Sequence, residues 1–183
     1  MCTVLVPLAE DCEELEAVTI IDLLRRANIH VTVASLSENK VVKASRGVVL
    51  VADMRLSEVL DNNYDLIVLP GGLPGADYLA EDSRIITLLQ KQIQKQARVA
   101  AICAAPKVLL KAGLLNERSA TAYPGVFTSL DTTGVETKDD AVIIDGLITT
   151  SRGPGTAIDF ALNLIAQLKG DKKSREIEEQ LVR

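Results

Sequence analysis

The chain has 183 residues, of which 48% are hydrophobic and 25% are charged, and its formal net charge is −5. This composition is typical of a globular protein, and the excess of acids argues against strong nucleic-acid binding, which needs clustered Lys and Arg. Three cysteines without regular spacing argue against a secreted disulfide framework: Cys2, Cys12 and Cys103. Neither a signal-peptide pattern nor an apolar run long enough to cross a membrane is present. We therefore expect a cytoplasmic protein with reduced thiols.

The first half of the chain alternates between strand and helix patterns. The run CTVLVPL predicts a buried strand, and EELEAVTIIDLLRRA predicts a helix after it. Four apolar residues recur in that helix at helical spacing: Leu15, Val18, Ile21 and Leu24. HVTVASL predicts a second strand, and KVVKASRGVVLVADMRL predicts a hairpin around residues 45–47. A strand–helix–strand unit of this kind gives parallel neighbours in a sheet.

The second half continues the alternation. YDLIVLP predicts a buried strand, SRIITLLQKQIQKQ a helix with Ser83 as N-cap, RVAAIC a strand, and APKVLLKAGLL a helix. SATAYP predicts another short strand, and AVIIDGLITTS a hairpin that turns at Asp145 and Gly146. PGTAIDFALNLIAQL predicts the last long helix, with Pro154 in its first turn, and GDKKSREIEEQ a solvated helix face. We predict an α/β fold, a three-layer sandwich with a mostly parallel central sheet, in a single domain spanning residues 1–183.

Ligands of open α/β sheets bind beyond the carboxyl ends of the strands. The segments that follow the predicted strands are residues 10–16, residues 71–72, Cys103, residues 123–124 and residues 152–156. If the strands are parallel, these segments share one rim of the sheet. The sequence therefore predicts a site at that rim.

Cys103 is the residue of this set with the strongest intrinsic nucleophilicity. It lies where a strand meets a helix, and the positive end of a helix lowers the pKa of a thiol. A tight turn there would form a nucleophile elbow, with the N–H of Ala104 facing a developing oxyanion. Gly71 and Gly72 lack side chains, so their backbone can approach the same point. The alternative is a buried core thiol, which is common for free cysteine.

Glu16 has two interpretations as well. It is either a surface acid in the first turn of a helix, as Glu13 and Glu14 are, or a protonated partner of Cys103. The single histidine, His30, opens the second strand and belongs at the opposite end of the sheet. A Cys–His triad within one chain is therefore not expected, and no cluster has the spacing of zinc ligands.

Five motifs in order resemble the ThiJ/PfpI superfamily and, within it, the DJ-one branch: EELEAV, ASRGV, VLPGG, ICAAP and TSRGPGTAIDFAL. The resemblance covers nearly the whole chain, from residue 3 through the last helix. It implies a flavodoxin-like fold, a homodimer, and activity without cofactor or metal.

The resemblance also implies roles for residues. Cys103 would be the reactive, easily oxidised thiol and Glu16 its protonated partner, while Gly72 and Ala104 would supply backbone donors. Two residues would shape the wall of the pocket: Arg152 and Pro154. Arg46 would reach the site from the partner subunit and pair with acids near Glu13 and Glu14.

The implied function is cysteine-dependent detoxification or repair of reactive α-dicarbonyls in oxidative-stress defence. The protein would be a glutathione-independent glyoxalase or a protein deglycase, a hydro-lyase or hydrolase acting on methylglyoxal or on glycated proteins. The alternative is a redox sensor or redox-regulated chaperone in which Cys103 is oxidised to a sulfinate. PfpI-like proteolysis is disfavoured because no histidine is expected near Cys103.

The sequence departs from the branch at several positions, two of which bear on the site. Tyr123 stands where the branch often has a histidine, and a tyrosine is a poor base near neutral pH, so we expect weak activity. Cys12 lies beside the acids of the first helix. It is either an incidental loop thiol or a resolving thiol for an oxidised Cys103.

Overall fold

The computed structural model of the protein describes residues 2–183. The strands are β1 (Thr3–Leu8), β2 (His30–Ser35), β3 (Val41–Lys43), β4 (Val49–Val51), β5 (Met54–Arg55), β6 (Leu66–Leu69), β7 (Arg98–Ile102), β8 (Arg118–Ala120), β9 (Val135–Thr137), β10 (Val142–Asp145) and β11 (Ile148–Ser151). The helices are α1 (Glu14–Arg26), α2 (Gly75–Glu81), α3 (Ser83–Gln94), α4 (Pro106–Lys111), α5 (Ala157–Lys169) and α6 (Asp171–Gln180).

The predicted α/β fold with a mostly parallel sheet is confirmed. Seven strands form the central sheet in the order β10-β11-β7-β6-β1-β2-β5, and all neighbours are parallel except β10 and β11. Side chains alternate between the two faces of each strand. On β1, Val4 and Val6 pack with α1, α5 and α6, whereas Leu5 packs with α2, α3 and α4 on the other face. The carboxyl ends of the parallel strands therefore meet at one rim between two helical layers.

Both predicted hairpins are present. β3 and β4 pair antiparallel outside the central sheet, with Val41 opposite Val51. β10 and β11 form the second hairpin, and Gly146 in its turn has a φ of 61°. A left-handed residue at this position explains why glycine follows Asp145. The second hairpin closes one side of the sheet next to β7.

The helix predicted for α1 is confirmed, and its apolar stripe is buried only in part. Leu15 and Val18 are 50% and 46% exposed, whereas Glu16 and Ile20 are fully buried. The helix packs against α5 and the sheet through Ala17, Ile20 and Leu24, which leaves Leu15 and Val18 on its outer side. The spacing identified a helix but not the face that it buries.

Two smaller predictions need correction, and one helix was missed. The N-cap of α3 is Asp82 rather than Ser83, because the Asp82 carboxylate accepts the Arg84 N–H at 2.9 Å. Helix α2 was not predicted. The strand predicted in SATAYP is confirmed only at its start, as β8, and it pairs with β9 outside the central sheet.

Within residues 2–183, no helix is long and apolar enough to span a membrane. The same residues contain no group of three or more His, Cys, Asp or Glu side chains placed to hold a metal ion.

Candidate active site around Cys103

Cys103 occupies a strained turn directly after β7. Its φ is 63°, in the left-handed region that a residue with a side chain rarely adopts. The Cys103 N–H donates to Ser151 O at 3.0 Å, and its carbonyl accepts the Tyr123 N–H at 2.8 Å. These bonds attach the turn to β11 on one side and to the segment after β8 on the other. The turn directs the thiol toward the rim between β7 and β6.

The backbone N–H groups of Gly72 and Ala104 act on the sulfur and favour its thiolate form. Gly72 has a φ of 92°, and a methyl group on its Cα would lie 2.4 Å from the Glu13 nitrogen. Only glycine fits there, which explains the glycine pair after β6. The structure therefore brings Cys103, Gly72 and Ala104 together at one point.

The structure does not support the expectation that a helix lowers the pKa of Cys103. Burial and the neighbouring Glu16 carboxylate raise the pKa of Cys103 to about 12, against the opposing effect of the Gly72 and Ala104 N–H groups. The side chain is only 9% exposed, and α4 begins at Pro106, three residues beyond the thiol. The ionisation of Cys103 therefore depends on where the proton of Glu16 resides.

Glu16 is fully buried beside Cys103. Its Oε2 accepts the Gly71 N–H at 2.8 Å, and its Oε1 has no conventional hydrogen-bond donor within residues 2–183. A methyl group at Gly71 would lie 2.6 Å from Cys103 Cβ and 2.8 Å from Glu16 Oε2, so both side chains contact this glycine. A buried anionic oxygen without a donor is unfavourable. Burial accordingly raises the pKa of Glu16 to about 7, although the Gly71 N–H and Cys103 act in the other direction.

The two groups titrate as one coupled acid. Below about pH 7 the carboxyl group and the thiol both hold protons. Once a single proton is left, it resides on sulfur or on oxygen, and the thiolate exists when Glu16 holds it. When Glu16 holds the proton, the pair provides a thiolate nucleophile and, beside it, a carboxyl group that can donate a proton.

The predicted supporting acids lie beside the β3–β4 turn. The Glu14 carboxylate accepts the Arg46 N–H at 2.8 Å, and the Ser45 hydroxyl lies 3.1 Å from Glu13 Oε2 and 3.0 Å from Glu14 Oε2. Burial alone would raise the pKa of Glu14, but these hydrogen bonds outweigh it and hold the pKa below its usual value. The exposed Arg46 guanidinium pairs with no acid of its own chain within residues 2–183.

The remaining predicted residues form the mouth of the site. The Tyr123 ring lies over Gly153 and is 50% exposed, and its hydroxyl makes no hydrogen bond within residues 2–183. Arg152 pairs with the exposed Asp139, and Pro154 begins a short 3-10 turn. The structure therefore places Tyr123, Arg152 and Pro154 at the rim but joins none of their side chains to Cys103 or Glu16 by a hydrogen bond.

Ser45 and Ser151 contribute to the site but were not predicted. Ser151 accepts the Cys103 N–H, and Ser45 contacts both supporting acids. Ser45 is separated from these acids by more than thirty positions in the chain. Only the docking of the β3–β4 hairpin on the start of α1 reveals the contact.

Comparison with known proteins identifies the family of the chain. The model of the DJ-1/PfpI family matches residues 2–167. The chain is 42% identical to Protein dj-1beta of Drosophila melanogaster over 97% of this chain and 95% of the relative. It is 38% identical to Glutathione-independent glyoxalase DJR-1.2 of Caenorhabditis elegans, over 92% of this chain and 89% of the relative.

A plant relative and a solved structure extend the comparison. Protein DJ-1 homolog B of Arabidopsis thaliana is 44% identical over 95% of this chain, but the chain spans only 40% of that longer protein. The solved structure of oxidized Toxoplasma gondii DJ-1 superposes with a TM-score of 0.95 at 40% identity, over 100% of this chain and 98% of the other. The chain belongs to the DJ-1/PfpI family.

Proposed function

We propose that the protein is a cysteine-dependent enzyme that detoxifies small α-oxoaldehydes such as methylglyoxal without glutathione, or removes their early adducts from proteins. The observation that carries this proposal is the placement of Cys103 between two backbone N–H donors and the buried carboxyl group of Glu16. A family relative named as a glutathione-independent glyoxalase supports the same chemistry.

The reaction needs a nucleophile and one proton carrier. The Cys103 thiolate attacks the aldehyde carbon, and the carbonyl oxygen becomes an oxyanion beside the Gly72 and Ala104 N–H groups. After protonation this gives a hemithioacetal. Glu16 then takes the proton from that carbon and returns it to the neighbouring carbon, which leaves a thioester of a 2-hydroxy acid. Water cleaves the thioester, releases the hydroxy acid and restores the thiol.

Tyr123 is expected to lower the rate of the proposed reaction without changing the type of reaction. Tyr123 is half exposed and its hydroxyl makes no hydrogen bond within residues 2–183, so we do not expect it to share the proton of the Cys103–Glu16 pair. Proton transfer would then depend on Glu16 alone. We expect turnover to be slow.

Replacement of Cys103 by alanine is expected to reduce methylglyoxal turnover by about 10³-fold or more, because the variant lacks the nucleophile. Lactate production by purified protein measures this directly. Cys12→Ala is the matched control, since it removes a buried thiol outside the site, and it should retain most of the activity. Equal turnover by the wild type and Cys103→Ala would contradict the proposed function.

A second function rests on the same thiol. Two equivalents of peroxide would convert the Cys103 thiolate to a sulfinate with release of two waters, and the Gly72 and Ala104 N–H groups would stabilise the new anion. A solved relative is described as oxidized. The protein would then be a redox sensor or a redox-regulated chaperone.

Mass spectrometry after mild peroxide treatment is expected to show oxygen first on Cys103. Cys12 is less exposed, and burial together with the Glu14 carboxylate raises its pKa to about 12 without a proton-sharing partner. Oxidation that begins at Cys2 or Cys12 would count against a sensor role for Cys103.

We also propose that the protein is a homodimer. Six exposed apolar side chains lie on α1 and around the β3–β4 hairpin: Leu15, Val18, Val41, Val48, Val49 and Val51. Exposed apolar side chains grouped in this way favour association. The neighbouring guanidinium of Arg46 is free to pair with acids of a second copy, as the family resemblance implies.

The substitution Arg46→Glu is expected to weaken the dimer at least about tenfold, because it places a new carboxylate beside Glu13 and Glu14. Sedimentation velocity at several protein concentrations would measure the change. Arg175→Glu introduces the same charge on the exposed face of α6 and serves as the control. An unchanged sedimentation profile for Arg46→Glu would show that its charge is not paired across an interface.

A further inference from the structure

The loop between β1 and α1 is held between two turns. On one side, the Asp11 N–H donates to Lys43 O at 2.8 Å, and the Ser45 N–H donates to Cys12 O at 2.9 Å. On the other side, the Glu13 N–H donates to Gly71 O at 2.9 Å. Residues 11–13 therefore connect the β3–β4 hairpin to the glycine pair of the site.

The backbone of residues 11–13 packs directly against the backbone of the glycine pair, Gly71 and Gly72. A methyl group at Gly72 would lie 2.4 Å from the Glu13 nitrogen and 2.6 Å from the Asp11 oxygen. No side chain lies between the two segments to absorb a displacement. A shift of residues 11–13 would therefore move Gly72, whose N–H favours the thiolate form of Cys103.

The Ser45 hydroxyl is the hairpin side-chain group that contacts the end of this loop, beside hydrogen bonds from the hairpin N–H groups of Lys43 and Arg46 to loop and helix carboxylates. It lies within 3.1 Å of Glu13 Oε2 and 3.0 Å of Glu14 Oε2, but it has only one proton to donate. No Lys or Arg of the same chain forms an ion pair with either acid within residues 2–183. Within the chain, Ser45 is thus the polar side chain that contacts both carboxylates.

The charge of Glu13 also acts on the site. The titratable groups that act on Glu16 are Cys103 and Glu13, and the Glu13 carboxylate contributes to the raised pKa of Glu16. Where Ser45 holds the Glu13 side chain therefore affects the proton that Glu16 shares with Cys103. The contact between Ser45 and Glu13 can therefore affect the thiol in two ways: through the position of Gly72, which is the mechanical route, and through the charge of Glu13, which is the electrostatic route.

We propose that Ser45 is a positioning residue for Cys103. Its hydroxyl fixes Glu13 and residues 11–13, and these hold the Gly72 N–H against the sulfur. The inference rests on the proposed function only in taking Cys103 as the reacting group. It assigns a role to a side chain that touches neither the thiol nor Glu16.

The test is the alkylation of Cys103 by iodoacetamide, followed by peptide mass spectrometry from about pH 6 to about pH 9. In Ser45→Ala, the rate constant should fall by about threefold to tenfold, the size of one net hydrogen bond. Ser45→Thr keeps the hydroxyl and should restore the rate. Ser57→Ala removes a comparable hydroxyl contact, to Glu38 at 3.4 Å and far along the chain from the site, and should match the wild type.

Glu13→Gln is a second, independent variant. It keeps an acceptor for Ser45 and removes the charge, so the midpoint of the pH–rate profile should move to lower pH. An unshifted midpoint would contradict the electrostatic route through Glu13. This variant keeps the main-chain bond to Gly71 and therefore tests the proposal even if Ser45→Ala folds poorly.

Two results would overturn the proposal. One is a Ser45→Ala profile that superposes on that of the wild type. The other is a loss of rate that appears only at protein concentrations where sedimentation shows dissociation, since the effect would then come from assembly. Alkylation requires a reactive thiol but no methylglyoxal turnover, so its outcome is separable from failure of the proposed glyoxalase activity.

Discussion

Gly71→Ala is expected to reduce the reactivity of Cys103 by about 10²-fold or more, although it adds only one methyl group. That group would lie 2.6 Å from Cys103 Cβ, 2.8 Å from Glu16 Oε2 and 2.9 Å from Ile102 O. The nearest atoms are the Cβ of the thiol side chain, a main-chain oxygen and an oxygen of a fully buried carboxyl group, so none of them is the end of a flexible chain. The nucleophile and its proton partner would both have to move.

The same substitution should lower the free energy of unfolding by about 1–3 kcal/mol, the usual effect of forcing an extra methyl group into a packed core. Iodoacetamide alkylation measures the reactivity, and urea denaturation measures the stability. Gly155→Ala is the matched control, because its methyl group would meet nothing within 4 Å. A Gly71→Ala protein that alkylates at the wild-type rate would show that Cys103 and Glu16 do not meet at this glycine.

Glu16→Gln should remove a pH dependence that the wild type shows in both reactivity and stability. In the wild type, alkylation of Cys103 should rise as pH passes about 7, because loss of one proton allows the coupled pair to form thiolate. Glutamine has no proton to lose or accept in this range. The step near pH 7 should therefore disappear from the pH–rate profile of the variant.

The stability effect has a definite sign. Folding raises the pKa of Glu16 from 4.5 to about 7, so its full stabilising contribution is present below the unfolded value and is lost as pH rises through the folded value. The wild type should lose about 3 kcal/mol of unfolding free energy over this range relative to Glu16→Gln. Urea denaturation at about pH 5 and about pH 8 provides the comparison. Parallel pH curves for the two proteins would exclude a buried, protonated Glu16.

The location of the site was predictable from topology. Cys103 and Gly71 follow neighbouring parallel strands, and Glu16 follows β1, which is the next strand across the sheet. Because parallel strands end at one rim, the order of motifs along the chain was enough to bring these residues together. The alternation of patterns likewise predicted the central sheet, since strands and helices differ in hydrophobic period.

The energetics of the site were less predictable. The sequence indicated a helix start beside Cys103 and hence a lowered thiol pKa, whereas the fold buries the thiol next to an acid and raises it. The burial of Glu16 depends on which face of α1 packs inward, and the apolar spacing does not identify that face, since Leu15 and Val18 are exposed. The contact of Ser45 with Glu13 depends on hairpin docking, which no local pattern encodes.

Both faces of α1 restrict the amino-acid substitutions that this helix can accept during evolution. Its inward face carries Glu16 against the thiol, and its outward face carries the exposed Leu15 and Val18 beside the hairpin. Helix α6, by contrast, buries only Ile177. In a library of random variants, α1 should tolerate few changes on either side, whereas α6 should accept most of them.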